Sequence, residues 1–201
     1  PSDYYVYAYL NGSIQFFNTL GDVTDAYHTF LVDPFLSVFE KEYKDILVLG
    51  GGDGLPARQL LMHKTVKSIN MVDLDGDWVN FTKTNPLMNY NSQDAFNNPK
   101  LTLHTADAFK WIASTKKKFN AVFVDFPEEY NMASIRSMSL QFMNDLKRIL
   151  HQNGVFILQG DFTEEVNKEF LATVLNTARK VGMFPIMGFK EGSNKLDHFV
   201  I

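Results

Sequence analysis

Residues 45–54, Asp-Ile-Leu-Val-Leu-Gly-Gly-Gly-Asp-Gly, constrain this chain more than any other stretch. A short apolar run drives into glycines that enclose one aspartate, Asp53. Further along, a second apolar run, residues 68–72, ends in another acid, Asp73. Strand, glycine turn, helix, strand and acid is the layout of a nucleotide-binding crevice. Gly50 and Gly52 allow the backbone to approach a ligand closely or to take positive φ. A carboxylate at the tip of the next strand can accept hydrogens from both hydroxyls of a ribose. Asp53 departs from the usual layout. An anion inside the turn repels a pyrophosphate, so the turn suits a nucleoside that carries positive charge.

From residue 45 onward strands and helices alternate. The hydrophobic pattern predicts strands over 46–50, 68–73, 100–104, 119–125, 154–159, 183–189 and 196–201. Helices are predicted over 55–63, 76–85, 107–115, 137–150 and 163–181. The Asn-rich stretch 85–99 reads as a loop with turn signals at Asn85-Pro86 and Asn98-Pro99. Gly154 and Gly182 read as helix stops. Upstream, residues 3–10 and 13–17 flank Asn11-Gly12, a hairpin signal, and a helix over 22–39 is expected to kink or split at Pro34.

Such alternation implies a mostly parallel sheet covered on both faces. The short connection at 191–194 makes the last two strands antiparallel neighbours, because a parallel crossover needs about a dozen residues. The expected fold is therefore α/β: a Rossmann-like, seven-stranded, methyltransferase-type sheet with a short N-terminal β-hairpin. The expected division is a hairpin over 1–20 and a catalytic domain over 21–201.

With 201 residues, 45% of them hydrophobic, and 18 phenylalanines, the chain can bury a substantial core. A net charge of −4 offers no broad electrostatic footprint for nucleic acid. No apolar stretch reaches the eighteen or so residues of a membrane span. The first residues lack the basic start and apolar core of a signal peptide. The absence of cysteine is compatible with a reducing cytoplasm and removes thiolate metal sites. His63, His104, His151 and His198 have no metal-like spacing, so no metal site is expected.

Taken in order, the motifs resemble those of the spermidine synthase (polyamine aminopropyltransferase) family. Leu10-Asn11-Gly12-Ser13-Ile14-Gln15 is similar to L-[DN]-G-x-x-Q, Tyr27-His28-Thr29 to Y-H-E, and residues 50–54 to G-G-G-D-G. Met71-Val72-Asp73-Leu74-Asp75, Asp107-Ala108 and Asp125-Phe126-Pro127-Glu128 resemble the strand-end acid, the D-[AG] pair and the D-x-x-D loop. Gln159 stands at the next strand end.

The resemblance implies aminopropyl transfer. A diamine, usually putrescine, attacks the propyl carbon on the sulfonium of decarboxylated S-adenosylmethionine, releasing methylthioadenosine. Decarboxylated S-adenosylmethionine is then a co-substrate, with no permanently bound cofactor. An aliphatic amine with a pKa near 10.4 must lose a proton before it attacks, which calls for a carboxylate beside it. The resemblance assigns Asp73 to the ribose and Asp107 with the Ala108 backbone to adenine. It places Gln15 against the nucleoside and Asp53 toward the aminopropyl ammonium or the amine. His28, Asp125 and Gln159 would line the diamine path, with Glu128 at the catalytic acid position beside Asp125. The segment 129–139 would gate both substrates, and the N-terminal hairpin is the part that in relatives makes oligomer contacts, so a homodimer is compatible with it.

Three positions depart from the pattern. Glu128 replaces an aspartate, Thr29 replaces the glutamate of Y-H-E, and Arg136 lies in the gate. Asp22, Asp25 or Asp33 could supply the missing acid, and Arg136 could pair with Glu128 or Glu129. Three other readings stay open: a nucleoside- or polyamine-binding protein without turnover, an S-adenosylmethionine-dependent methyltransferase, and an NAD-dependent enzyme. Asp53 opposes the methyltransferase because it would repel the methionine carboxylate.

Overall fold

The computed structural model describes residues 5–10, 13–19, 26–38, 44–126, 132–159, 165–188 and 198–200. Strands β1 (Tyr5–Leu10) and β2 (Ser13–Thr19) pair antiparallel as a two-stranded sheet of their own. After helix α1 (Ala26–Val38), the chain enters the main α/β unit. There β3 (Asp45–Gly50), α2 (Leu55–Met62), β4 (Ser68–Asp73), α3 (Gly76–Thr84), α4 (Pro86–Asn91), β5 (Leu101–Thr105) and α5 (Ala108–Ser114) follow one another. Next come β6 (Phe119–Asp125), α6 (Met132–Ser137), α7 (Leu140–Ile149), β7 (Leu150–Gln159), α8 (Glu165–Lys180), β8 (Ile186–Gly188) and β9 (His198–Val200).

The main sheet has the order β5-β4-β3-β6-β7-β9-β8. The first five of these strands run parallel, while β9 is antiparallel to both β7 and β8, as the short final connection required. Strands such as β3 and β4 read as continuous apolar runs because both of their faces are covered. Ile46, Val48, Ile69 and Met71 pack with Leu31, Ala57 and Leu60 on one face. Leu47, Leu49, Val72 and Val124 pack with Ile112, Phe142, Leu146 and Val174 on the other. Alternate residues of each strand thus enter two separate cores. The chain builds outward from β3 in one direction to β5, then returns to add β6 and β7 on the other side. The crevice at that reversal, beyond the carboxyl ends of β3 and β6, is where open α/β sheets bind ligands.

Several local expectations are corrected. Pro34 lies inside α1 without splitting it, because Leu31, Val32, Phe35 and Leu36 bury both of its halves in one core. The stretch 85–99 is not simply a loop. Asn85 caps α4 by accepting from the amides of Leu87 and Met88, and Ala95–Asn97 form a 3₁₀ turn. The expected helix 137–150 is α7, which begins only at Leu140 with Ser139 accepting from the Phe142 amide as its cap, while Ser137 ends the separate α6. Gly154 stops no helix. It lies in β7 where the register against β6 slips from Phe119↔Leu150 to Ala121↔Val155. A Cβ there would stand 3.0 Å from the His151 carbonyl oxygen. Gly182 does end α8, with φ +74° and bonds from the Gly182 amide to Arg179 and from the Met183 amide to Ala178. Among the described residues no helix is long and apolar enough to cross a membrane.

Candidate functional site

The strand ends gather the predicted residues at one edge of the sheet. In the β3–β6 register Gly50 faces Asp125, and in the β4–β5 register Asp73 faces Thr105, two residues before Asp107. Gly50 has φ +88°, and a Cβ on it would lie 2.0 Å from the Asp125 carbonyl oxygen. Gly52 is needed for space, since its Cβ would stand 2.7 Å from Asp73 Oδ2 and 2.9 Å from Trp78. Only a chain without side chains at these two points can lay its backbone between the two acid-tipped strands.

Three supports of this turn were not foreseen. The Thr82 hydroxyl in α3 donates to the Gly52 carbonyl at 2.6 Å. Phe96 of the 3₁₀ turn packs directly under Gly54. Arg58, buried in α2, donates to the Asn91 carbonyl at 2.9 Å and ties α4 beneath the turn. Their only signal in the sequence was the apolar spacing of α3 and the cap residue Asn85, and neither points at the glycines.

Asp73 does not cap the helix that follows. Asp75 does, accepting from the Trp78 amide, while Asp73 Oδ1 accepts from the Asp75 amide at 2.9 Å. Burial pushes the Asp73 carboxyl above its ordinary value. Amide bonds from Asp75 and Gly52 offset part of that rise, and the charges of Asp125 and Asp75 add to it. Beside it Leu74 is 74% exposed at the strand tip, an apolar surface where a base could rest. A cavity of about 290 Å³ lies next to this edge, walled by Tyr7 and Tyr9 of the hairpin and by Trp78, Phe81, Leu87 and Met88.

Asp107 caps α5, its Oδ1 accepting from the amides of Phe109 (2.8 Å) and Lys110 (3.2 Å). Its Oδ2 accepts from Arg136 Nη1 at 3.3 Å. Burial acts upward on this carboxyl, but the Lys110 amide, the Arg136 guanidinium and the Phe109 amide together hold it below its ordinary value. Arg136 thus pairs with Asp107, where the sequence suggested Glu128 or Glu129. Ala108 is buried at the first turn of α5.

On the other side of the glycines lies a buried constellation. His28, 2% exposed, has Nε2 3.8 Å from Asp125 Oδ2 and 4.0 Å from Asp53 Oδ2. The Tyr27 hydroxyl donates to Asp125 Oδ1 at 2.6 Å, across 98 residues of sequence. Asp53 has a structural task too, because its Oδ1 accepts from the Leu55 amide at 2.9 Å and so starts α2. Its second oxygen remains directed at His28. One ligand atom each from His28, Asp53 and Asp125 lies within 4.8 Å of the others. This set suits a cation, either a divalent metal or an alkylammonium. Histidine spacing gave no sign of it, since the ligands come from α1, the turn and β6.

Other expectations shift. Asp33 does not replace the missing acid: it accepts from Gln59 Nε2 at 2.8 Å and stands 2.9 Å from His63 Nε2. His63 therefore does have a carboxylate partner. In the lysine run 116–118, Lys117 reaches Asn70 Oδ1 at 3.0 Å and Lys118 donates to the carbonyls of Arg148 and Leu150. Glu128, Asp22 and Asp25 lie outside the described residues. Gln15 is placed on β2 and Gln159 at the end of β7, with their side chains outside the description.

With this geometry in view, sequence comparison is decisive. The pattern described as the spermine/spermidine synthase domain matches residues 24–189. The chain belongs to the spermine/spermidine synthase family. It is 36% identical over 176 residues to polyamine aminopropyltransferase 2 of Aquifex aeolicus, covering 88% of this chain and 34% of that protein. A polyamine aminopropyltransferase of Saccharolobus solfataricus is 32% identical over 185 residues, covering 92% of this chain and 57% of that one. The chain thus spans about a third to somewhat over half of the curated relatives it matches. Crystal structures of similar fold include spermidine synthase from Thermotoga maritima (TM-score 0.72) and a spermidine synthase in complex with the transition state analogue AdoDATO (TM-score 0.76). Each is 18% identical and covers 96% of this chain, and 62% and 64% of the respective structures. The α/β expectation and the family resemblance are both borne out.

Proposed function

We propose that this chain carries the aminopropyl-transfer site of a polyamine aminopropyltransferase. The observation that carries the reading is the pair of carboxylates, Asp53 and Asp125, converging on buried His28 beside a nucleoside-type glycine turn. An electron-rich pocket next to the turn attracts an ammonium and repels a carboxylate. That favours decarboxylated S-adenosylmethionine over the intact cofactor of a methyltransferase.

In this reading Asp73 accepts from the ribose hydroxyls and Asp107 from the adenine amino group. The Ala108 amide and Gln15 complete the nucleoside contacts. The diamine enters over His28, Asp125 and Gln159. Its uncharged nitrogen attacks the methylene carbon attached to sulfur, a C–N bond forms, and the C–S electron pair returns to the sulfonium to give the thioether methylthioadenosine. The proton lost from nitrogen passes to a carboxylate, for which the resemblance nominates Glu128 with Asp125 beside it. Tyr27 holds Asp125 by one oxygen and leaves the other toward the substrate. Most of the rate enhancement then comes from holding two substrates in line. Putrescine as acceptor, the division into 1–20 and 21–201, a cytoplasmic setting and a homodimer belong to the same proposal and rest on the resemblance.

The test is methylthioadenosine release from decarboxylated S-adenosylmethionine with a panel of diamines. Turnover that disappears in Glu128→Gln supports the reading. Formation of S-adenosylhomocysteine from intact S-adenosylmethionine contradicts it, as does tight methylthioadenosine binding with no product from any amine.

A further inference from the structure

We propose that Arg136 is a positioning residue for nucleoside recognition: lying on Phe109 and paired with Asp107, it fixes the Asp107 carboxylate as an acceptor for a 6-amino base. The inference rests on the reading above that Asp107 meets the base. Three contacts carry it. The Arg136 Cζ lies 3.9 Å from the Phe109 ring centroid, so the guanidinium rests on the ring face. Its Nη1 donates to Asp107 Oδ2. Phe109 is itself held by Phe126 and Phe142, with ring centroids 5.5 and 5.0 Å away, so the guanidinium rests on a packed base.

The Asp107 carboxylate is thereby held at both oxygens. Oδ1 takes two backbone amides, and Oδ2 takes the arginine. A carboxylate has about four lone-pair directions, so Oδ2 keeps one for a further donor. With the rotamer pinned, that direction is fixed before a ligand arrives. Its charged neighbour also keeps the group ionised, hence acceptor-only, when a base covers it and excludes water. An amino group at position 6 donates to such an oxygen, whereas a carbonyl there meets it with a lone pair. Arg136 therefore acts on selectivity as well as on affinity. It also lies on α6, eight residues after Glu128 in sequence, so the residue that sets the nucleoside acceptor belongs to the stretch that follows the candidate catalytic acid.

Calorimetric titration with methylthioadenosine and methylthioinosine tests this. The pair is partly exposed, 45% and 26% for the two side chains, so the expected effect is moderate. Arg136→Met should weaken methylthioadenosine binding by about threefold to tenfold and leave methylthioinosine within about twofold. Arg136→Lys should recover part of the loss, since it keeps the charge and gives up the planar stack. In an Asp107→Asn background, Arg136→Met should have no further effect on the preference. Unchanged or tighter methylthioadenosine binding by Arg136→Met overturns the proposal, as does equal weakening of both ligands. If the wild-type chain binds neither nucleoside, the nucleoside reading falls and this proposal falls with it.

Discussion

The two halves of the proposed site, one for a nucleoside and one for an amine, are built by different means. The nucleoside half is made of backbone: strand tips, a glycine with φ +88°, and acids that accept amides within two or three residues of themselves. The amine half is made of side chains brought from afar, with Tyr27 and His28 on α1, Asp53 in the turn and Asp125 on β6. Local motifs hold the first half in place whatever the rest of the chain does. The second exists only when α1 packs against the sheet edge. Within the nucleoside half the two acids differ as well. Burial raises Asp73, whereas amides and a guanidinium lower Asp107.

The largest effect should come where the halves share an atom. Gly50→Ala puts a methyl 2.0 Å from the Asp125 carbonyl oxygen in a left-handed backbone region. We expect a loss of about 3 kcal/mol or more and collapse of both halves together, read by urea denaturation. Near wild-type stability would show that the turn and β6 are not as tightly joined as described.

Next, Asp125→Asn should separate the halves. Removing a charged acceptor costs about 1.5–3 kcal/mol, so kcat/KM for the diamine should fall by roughly tenfold to a hundredfold. If Asp125 serves the amine, the KM for decarboxylated S-adenosylmethionine stays within about threefold. A fall carried entirely by that KM would place Asp125 in the wrong half.

A smaller effect concerns pH. The folded-state pKa of Asp73 is raised, so its proton binds the folded chain more tightly than the unfolded one. The stability it contributes is present below the unfolded carboxylate pKa, about 3.9, and is lost as pH rises through the folded value. The stability of Asp73→Asn relative to wild type, from denaturation at a series of pH values, should therefore improve as pH rises through that window and then level off. A difference that falls with rising pH would mean that the carboxyl is stabilised in its charged form. Smallest of all, Gly182→Ala (φ +74°) should lower stability by about 1 kcal/mol and leave both ligands' affinities unchanged, because α8 ends far in sequence from either half.

The same contrast explains what the sequence disclosed. Asp73, the glycine turn and the Asp107 cap are short-range patterns with a physical reason at each position, and they read directly. The His28–Asp53–Asp125 set came only through resemblance, since no spacing rule joins residues 28 and 125. Asp53 read as a departure that suits a cationic ligand, and the structure adds a local task, since its Oδ1 accepts from the Leu55 amide at the start of α2. The floor of the turn, Phe96 and Arg58, sat in or beneath a stretch whose turn signals concealed a cap and a short helix. The split expected at Pro34 does not occur for a similar reason: tertiary packing on both sides outweighs one lost helical hydrogen bond.

The central claim is that one crevice holds a nucleoside by one half and an amine by the other. Titration of methylthioadenosine into the wild-type chain, Asp73→Asn and Asp125→Asn tests it most directly. Binding to wild type, a loss of about tenfold to a hundredfold for Asp73→Asn, and a change under about threefold for Asp125→Asn are expected. Equal binding by wild type and Asp73→Asn, or a loss confined to Asp125→Asn, would contradict it.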